Sequence, residues 1–254
     1  MTPDIMRLQL LAVLFATTIA TTARAEDVTV TASPAATATA GDPNIDRGFV
    51  LPTAMTQPKG SITYNNYELL LHGVSYGITD RLQLSATVLA PIVREMPFVG
   101  NASLKGQVYR GQRLHFSLQG SIGGGYTSDG DAGAFIAGLG GLGSLCVRQD
   151  CSSLLSASVT YQLISESHNP DNRGFVYGAS LVHRVGSHVK LLAEVASASA
   201  FTSGDLKGAL VSYGVRFYGD SIASDIGFMK PVLGDGDLPL VLGIPFASIS
   251  YRWQ

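Results

Sequence analysis

The most constraining feature of the sequence is a regular alternation of apolar and polar residues in segments of roughly ten residues. In residues 155–163 (LSASVTYQL), apolar side chains occupy every second position, and Ser, Thr and Gln stand between them. The same pattern recurs in 82–88, 114–122, 189–195 and 209–217, and in each segment one face carries no charged residue. A two-residue period is typical of β-strands. The sequence therefore predicts an all-β chain.

A soluble barrel and a membrane barrel differ in the direction of the charge-free face. A charge on the lipid side costs about 2–4 kcal/mol near the middle of a bilayer, so a clean apolar face suits a lipid-facing surface. In a soluble β-sandwich or lipocalin-like barrel, the apolar face points inward and charged residues cover the outside. Here charged residues make up only 14% of the chain, against roughly a quarter in soluble domains. We therefore predict a transmembrane barrel with a polar lumen.

The connections between the segments alternate in length. Short ones fall at 79–81, 111–113, 186–188 and 219–221, and longer ones at about 91–101, 127–133, 166–174, 200–207 and 231–239. Outer-membrane barrels have short periplasmic turns and longer outside loops. After the first thirty positions, the sequence contains no run of about 20 apolar residues, which is the length that a membrane-spanning helix needs. These features predict a bacterial outer-membrane protein.

The number of segments predicts an antiparallel up-and-down β-barrel of about twelve strands. Counting back from the C-terminal segment gives eleven strands, the first of them at 67–78. A short strand at 58–64, joined to it by a turn at Asn65 and Asn66, supplies the twelfth. Ten strands is the alternative.

The start of the chain has the composition of an exported protein. An arginine precedes an apolar stretch at 8–20, and Ala-Arg-Ala at 23–25 fits a signal-peptide cleavage site. We therefore predict a signal peptide over 1–25. Small, polar and Pro-containing residues follow, which predicts a flexible periplasmic leader over 26–58 and a barrel over 59–254.

The chain contains two cysteines, Cys146 and Cys151. In an exported protein, a pair this close in sequence favours a disulfide across a turn. A zinc site would need further ligands, and no histidine lies nearby in the sequence. We therefore predict a disulfide in a periplasmic turn, and no metal or cofactor.

The C-terminal segment places Ala247, Ile249, Tyr251 and Trp253 at alternate positions. This pattern resembles the C-terminal recognition strand of bacterial outer-membrane proteins, which usually ends in an aromatic residue; here Gln254 follows the aromatic. The resemblance to porin-like barrels implies insertion by the barrel-assembly machinery and contact with outer-membrane lipid and lipopolysaccharide. It assigns no substrate. The formal net charge of −2 gives no indication of a nucleic-acid partner.

One pair of residues raises the possibility of catalysis. His115 and Ser117 share a strand face, at a spacing that allows a histidine to activate a serine hydroxyl. The spacing is similar to that of outer-membrane lipid A deacylases and phospholipases, which implies an acylhydrolase as one alternative function. Asp129 could orient the histidine. The other interpretation is two ordinary polar residues of the lumen.

The remaining ionisable strand residues define the leading functional prediction. The residues predicted to line the lumen are Lys105, Arg110, His115, Arg184, Lys190, Glu194, Arg216 and Asp225. Such residues could filter small polar solutes, which predicts a narrow porin-like channel or transporter. They could equally form a satisfied network inside a structural or anchoring barrel with an occluded lumen.

Overall fold

The structure, a computed structural model, describes residues 41–89, 98–126, 133–166, 169–199, 208–233 and 242–254. Within these ranges, no helix is long and apolar enough to cross a membrane. The strands of the described ranges are β1 (Ile62–Tyr67), β2 (Leu71–Thr79), β3 (Leu82–Leu89), β4 (Phe98–Arg110), β5 (Leu114–Tyr126), β6 (Gly133–Cys146), β7 (Leu154–Glu166), β8 (Asn169–Arg184), β9 (Val189–Ser199), β10 (Gly208–Tyr218), β11 (Ile222–Leu233) and β12 (Ile244–Trp253).

These twelve strands form one closed antiparallel barrel. Each strand pairs with its sequence neighbours, and β1 pairs with β12 to close the cylinder. In the closing pair, Ile62 lies opposite Trp253 and Tyr67 lies opposite Ser248. The prediction of an all-β, up-and-down barrel of about twelve strands is confirmed, and the alternative of ten strands is wrong.

Two boundaries differ from the sequence-based expectation. The first hairpin turns at Glu68 and Leu69, which both have positive φ, and not at the two asparagines. Asn66 lies inside β1, and its side-chain oxygen accepts a hydrogen bond from the Leu69 amide at 3.1 Å. The asparagine therefore supports the turn from the strand that precedes it. In addition, β8 begins at Asn169, so the predicted long connection at 166–174 is mostly strand.

The side chains of the barrel alternate as the sequence predicts. Outward apolar residues are half exposed, for example Ile122 at 56% and Val159 at 53%. Their sequence neighbours Ser121 and Thr160 point inward and are buried. An outer surface this apolar is suited to hydrocarbon, because lipid, unlike water, imposes no cost on exposed apolar area.

The segment at residues 41–58, which we call the plug, lies inside the barrel. It forms a hairpin, in which the Gly48 amide donates to the Leu51 carbonyl at 2.8 Å and the Thr53 amide donates to the Asp46 carbonyl at 2.9 Å. Asp42, Phe49 and Gln57 are fully buried. This position differs from the flexible leader expected over 26–58, because the polar groups of the segment find partners on the inner wall. Residues 26–40 and the predicted signal peptide lie outside the described residues.

Both ends of the plug lie at the end of the barrel that carries the short turns. The guanidinium of Arg252 donates to the Asp42 carbonyl at 3.2 Å and to the carbonyl of Asp220, in the turn between β10 and β11, at 2.9 Å. Thr56 donates to the carbonyl of Asp80, in the turn between β2 and β3, at 3.0 Å. The plug therefore enters the lumen from the short-turn end, reverses direction and returns to the same end.

The two cysteines form the predicted disulfide. Cys146 ends β6 and Cys151 lies in the connection to β7, with a Cα–Cα distance of 4.6 Å. Both cysteines are buried beside Leu154 and Val182 in a small apolar cluster.

The orientation of the barrel predicts a position-dependent cost of charge on the outer face. Val159→Arg, in the middle of β7, should lower the free energy of unfolding by about 2–4 kcal/mol in lipid vesicles. Val185→Arg is the matched control, since Val185 is equally exposed but lies in a turn at the barrel end. It should cost about 0–1 kcal/mol. Equal costs at the two positions would contradict a lipid-facing surface.

The disulfide should not be needed for closure of the barrel. Thirteen residue pairs join β6 to β7 in a continuous ladder next to it, and ladder hydrogen bonds do not depend on the sulfur bridge. We expect the reduced protein to keep the heat-modifiable gel migration of a folded barrel. Loss of that migration on reduction would show that the bridge is required.

Candidate functional site

The predicted lumen residues fall into two groups. Six of them are buried inside the barrel, namely Lys105, His115, Lys190, Glu194, Arg216 and Asp225. The other two lie near the short-turn end. Arg110 reaches toward the Asp80 carbonyl at 3.4 Å, and Arg184 forms a partly exposed ion pair with Asp150 at 3.7 Å.

The plug contacts the wall on opposite sides of the barrel, which places it in the lumen. The Ala54 amide donates to Ser144 of β6 at 2.8 Å, and Lys105 of β4 donates to the Thr53 carbonyl at 3.1 Å. Elsewhere along the plug, Asp42 contacts β9 and β10. A segment lying outside a closed cylinder could not reach all of these strands.

The base of the plug is held by a buried charge network. A carboxylate oxygen of Asp42 lies 2.5 Å from Nζ of Lys190 and 3.4 Å from Nη1 of Arg216. The other edge of the Arg216 guanidinium binds both carboxylate oxygens of Asp225, at 2.7 and 2.9 Å. Asp42 belongs to the plug and not to a spanning strand. Burial by itself raises the pKa of its carboxyl, but Arg216 and Lys190 outweigh burial and hold that pKa well below its usual range.

The middle of the plug is held by Arg47. Its guanidinium donates to Ser250 of β12 at 2.8 Å and lies 3.9 Å from the Asp225 carboxylate. It also contacts the Tyr67 hydroxyl and lies over the Tyr67 ring, 4.5 Å from the centroid. Arg47 therefore joins the plug to the two strands that close the barrel.

The tip of the plug is held by one carboxylate. Glu194 of β9 accepts hydrogen bonds from the backbone amides of Phe49, Val50 and Leu51, at 2.6 to 3.2 Å. Phe49 packs against Phe246 of β12, with ring centroids 4.8 Å apart. The carboxylate thereby satisfies three amides that a tight hairpin turn would otherwise leave unpaired in the interior.

The returning strand of the plug is held by amide side chains. The side-chain amide of Gln83 in β3 donates to the Asp46 carboxylate at 2.6 Å, and its oxygen accepts from the backbone amide of Gln57 at 2.9 Å. Lys105 donates to the carbonyls of Asp46 and Thr53. None of these plug contacts is visible in the sequence pattern. The available signal was the group of ionisable and amide residues between Asp42 and Gln57, together with the apolar run Phe49-Val50-Leu51, which differs from the small, polar residues before it.

His115 and Ser117 are near each other but contact other groups. Ser117 donates to the Ala54 carbonyl of the plug at 2.6 Å. His115 lies 3.4 Å from the Gln107 amide and 3.9 Å from the Cys151 sulfur. Among the residues that the structure describes, no hydrogen bond joins the two side chains, and both are buried away from lipid. The described geometry does not pair His115 with Ser117 as base and nucleophile, and Asp129 lies outside the described residues.

The proximity of His115 to the cysteines was not visible in the sequence. One potential ligand atom from each of His115, Cys146 and Cys151 lies within 4.8 Å of the others. The cysteines are joined to each other, and it is the thiolate that ligates metals. The oxidised pair therefore lacks the donors that a zinc site needs.

A polar crevice remains between the plug and the wall formed by β1 to β5. Its volume is about 90 Å³. Its wall includes Asn65, Ser75, Ser85, Asn101, Ser103 and Lys105, and its plug side includes Asp46 and Arg47. The plug therefore does not fill the cross-section of the barrel.

The closed strand pairing, the apolar outer face and the polar interior together define a bacterial outer-membrane β-barrel. No family model matches the chain, and no curated protein matches it. Solved structures with a similar strand arrangement include the KdgM porin, at 10% identity and a TM-score of 0.49, covering 76% of this chain and 98% of that one. The NanC porin is 7% identical to this chain with a TM-score of 0.44, and the match covers 76% of this chain and 97% of that one. LpxR from Salmonella typhimurium is 9% identical with a TM-score of 0.41, and the match covers 76% of this chain and 98% of that one. At this level of similarity, none of these structures carries an argument about function.

Glu194 should control how tightly the plug tip is held. Glu194→Ala removes the acceptor of three buried amides, each of which then carries a cost of about 1–3 kcal/mol. We expect faster hydrogen–deuterium exchange in residues 48–52, measured by mass spectrometry on the detergent-solubilised barrel. Glu194→Gln is the control, because it keeps one acceptor oxygen and should give a smaller increase. Unchanged exchange in both variants would show that the carboxylate does not hold the tip.

Proposed function

We propose that the protein is a narrow outer-membrane channel for small polar solutes, in which the plug restricts the bore. The observation that carries this proposal is the polar crevice beside the plug. Its wall offers hydroxyl and amide groups, which can replace part of the hydration shell of a small polar solute.

The size of the barrel supports a restricted bore. Eight strands leave an interior that side chains fill, and sixteen leave an aqueous channel. Twelve strands give an intermediate lumen, here shared between the hairpin of the plug and the crevice. The hairpin contacts β9, β10 and β12 through Asp42, Arg47 and Glu194. On the other side it contacts Gln83 and Lys105, and the crevice lies beside these contacts.

A second candidate function rests on the same plug. Its contacts with both sides of the wall favour a structural barrel with an occluded lumen, in which the crevice holds water and conducts nothing. Buried polar groups of this kind commonly bind ordered water. The two functions differ in whether the seated plug allows ions to pass.

Conductance in planar bilayers tests the channel. Wild-type protein should give small, reproducible channel events in symmetric KCl. Ser103→Phe places a ring in the crevice and should lower the conductance several-fold. Leu104→Phe is the matched control, because the next residue of β4 points outward, and it should leave the conductance unchanged.

Deletion of residues 42–57 completes this experiment. The shortened protein should give a conductance several-fold above wild type, since the segment that narrows the lumen is gone. If only the shortened protein conducts, the seated plug occludes the lumen and the structural function is correct. If neither protein conducts at any voltage, the channel is excluded.

A further inference from the structure

The inner wall carries more positive than negative charge. Within the described ranges and apart from His115, the buried ionisable side chains of the wall strands are Lys105, Lys190, Arg216, Arg252, Glu194 and Asp225. The plug has the opposite balance, with Asp42 and Asp46 against Arg47. The plug and the wall are therefore complementary in charge.

The complementarity is concentrated at one carboxylate. Lys190 points its ammonium at Asp42 from β9, and Arg216 points Nη1 at the same oxygen from β10. Nε and Nη2 of Arg216 bind Asp225 of the wall, which orients the guanidinium, and Nη1 also donates to the plug carbonyl of Asn44 at 2.9 Å. Arg252 donates to the Asp42 backbone carbonyl. Two oriented cations that converge on one oxygen form a built site for a carboxylate.

Movement of the plug would remove the Asp42 carboxylate from Lys190 and Arg216, which costs free energy. Without Asp42, the buried ammonium of Lys190 would lose its ion pair, and the guanidinium of Arg216 would keep the ion pair with Asp225 alone. Removal of one partner from a buried ion pair leaves an uncompensated charge, which is strongly unfavourable. An anion that replaces Asp42 therefore lowers the free-energy cost of releasing the plug.

We propose that Lys190 and Arg216 form a lumenal binding site for the carboxylate group of a small solute, and that Asp42 occupies this site while the plug is seated. The proposal rests on the proposed channel function and names its solute class, small carboxylates. A carboxylate solute then competes with Asp42. Because it binds only when Asp42 has left, it shifts the plug toward release. Uncharged solutes of the same size have no such effect.

Chemical rescue tests the site. Asp42→Ala removes the carboxylate and leaves a space of the same size next to both cations. Formate should bind there and raise the thermal midpoint of the solubilised variant in a saturable way, whereas formamide should not. Wild-type protein, in which Asp42 occupies the site, should show no such rise with either compound. Asp42→Asn is the matched control, because its amide fills the space, and formate should give no rise.

An equal response to formate and formamide, or an equal response of Asp42→Ala and Asp42→Asn, overturns the carboxylate site. If Asp42→Ala does not fold, uptake by wild-type protein in liposomes serves in its place. Gluconate should enter several-fold faster than glucose, an uncharged solute of similar size. Lys190→Gln should reduce this preference, and an equal uptake of the two solutes by wild-type protein overturns the proposal.

The two measurements separate this proposal from the channel itself. Rescue by formate without uptake of either solute supports the site and overturns the channel. Equal uptake of gluconate and glucose without rescue supports the channel and overturns the site.

Discussion

The structure depends on the pairing of buried charges across the lumen. Lipid outside the barrel forces the apolar face outward, so each strand directs its polar residues into the interior. Lys190, Arg216 and Glu194 are then removed from bulk water, and their charges require partners. The plug supplies those partners, with the Asp42 carboxylate for the cations and three tip amides for Glu194.

The same requirement explains the form of the plug. A hairpin has an unpaired backbone edge and a tight turn, and inside the barrel both need hydrogen-bond partners. Ser117, Gln107 and Lys105 donate to its carbonyls, while Ser144 and Glu194 accept from its amides. These side chains lie on four strands, β4, β5, β6 and β9, and together they hold one short segment of backbone. The wall therefore satisfies the polar groups of the plug, while Ile45, Phe49 and Met55 of the plug pack in the buried apolar cluster.

The strands, their inward faces and the disulfide were predictable, because each depends on residues close together in the sequence. The two-residue period identified Val159 as outward and Arg216 as inward without knowledge of the fold. The plug was not predictable, because its partners lie far from it along the chain: Asp42 pairs with Lys190, and Arg47 with Ser250. The proximity of His115 to Cys151 depends on the register between β5 and β6, which sequence periodicity does not give. The position of the first turn was wrong because Glu68 and Leu69 adopt positive φ, which is uncommon for such residues.

The central claim is that residues 41–58 are seated inside the closed barrel. Proton NMR on the detergent-solubilised protein tests it most directly, through the nuclear Overhauser effect between the rings of Phe49 and Phe246, whose centroids lie 4.8 Å apart. A seated plug predicts a strong cross-peak and ring shifts for Phe49 that are far from random-coil values. Absence of the cross-peak, together with random-coil shifts for Phe49, would show that the segment lies outside the lumen.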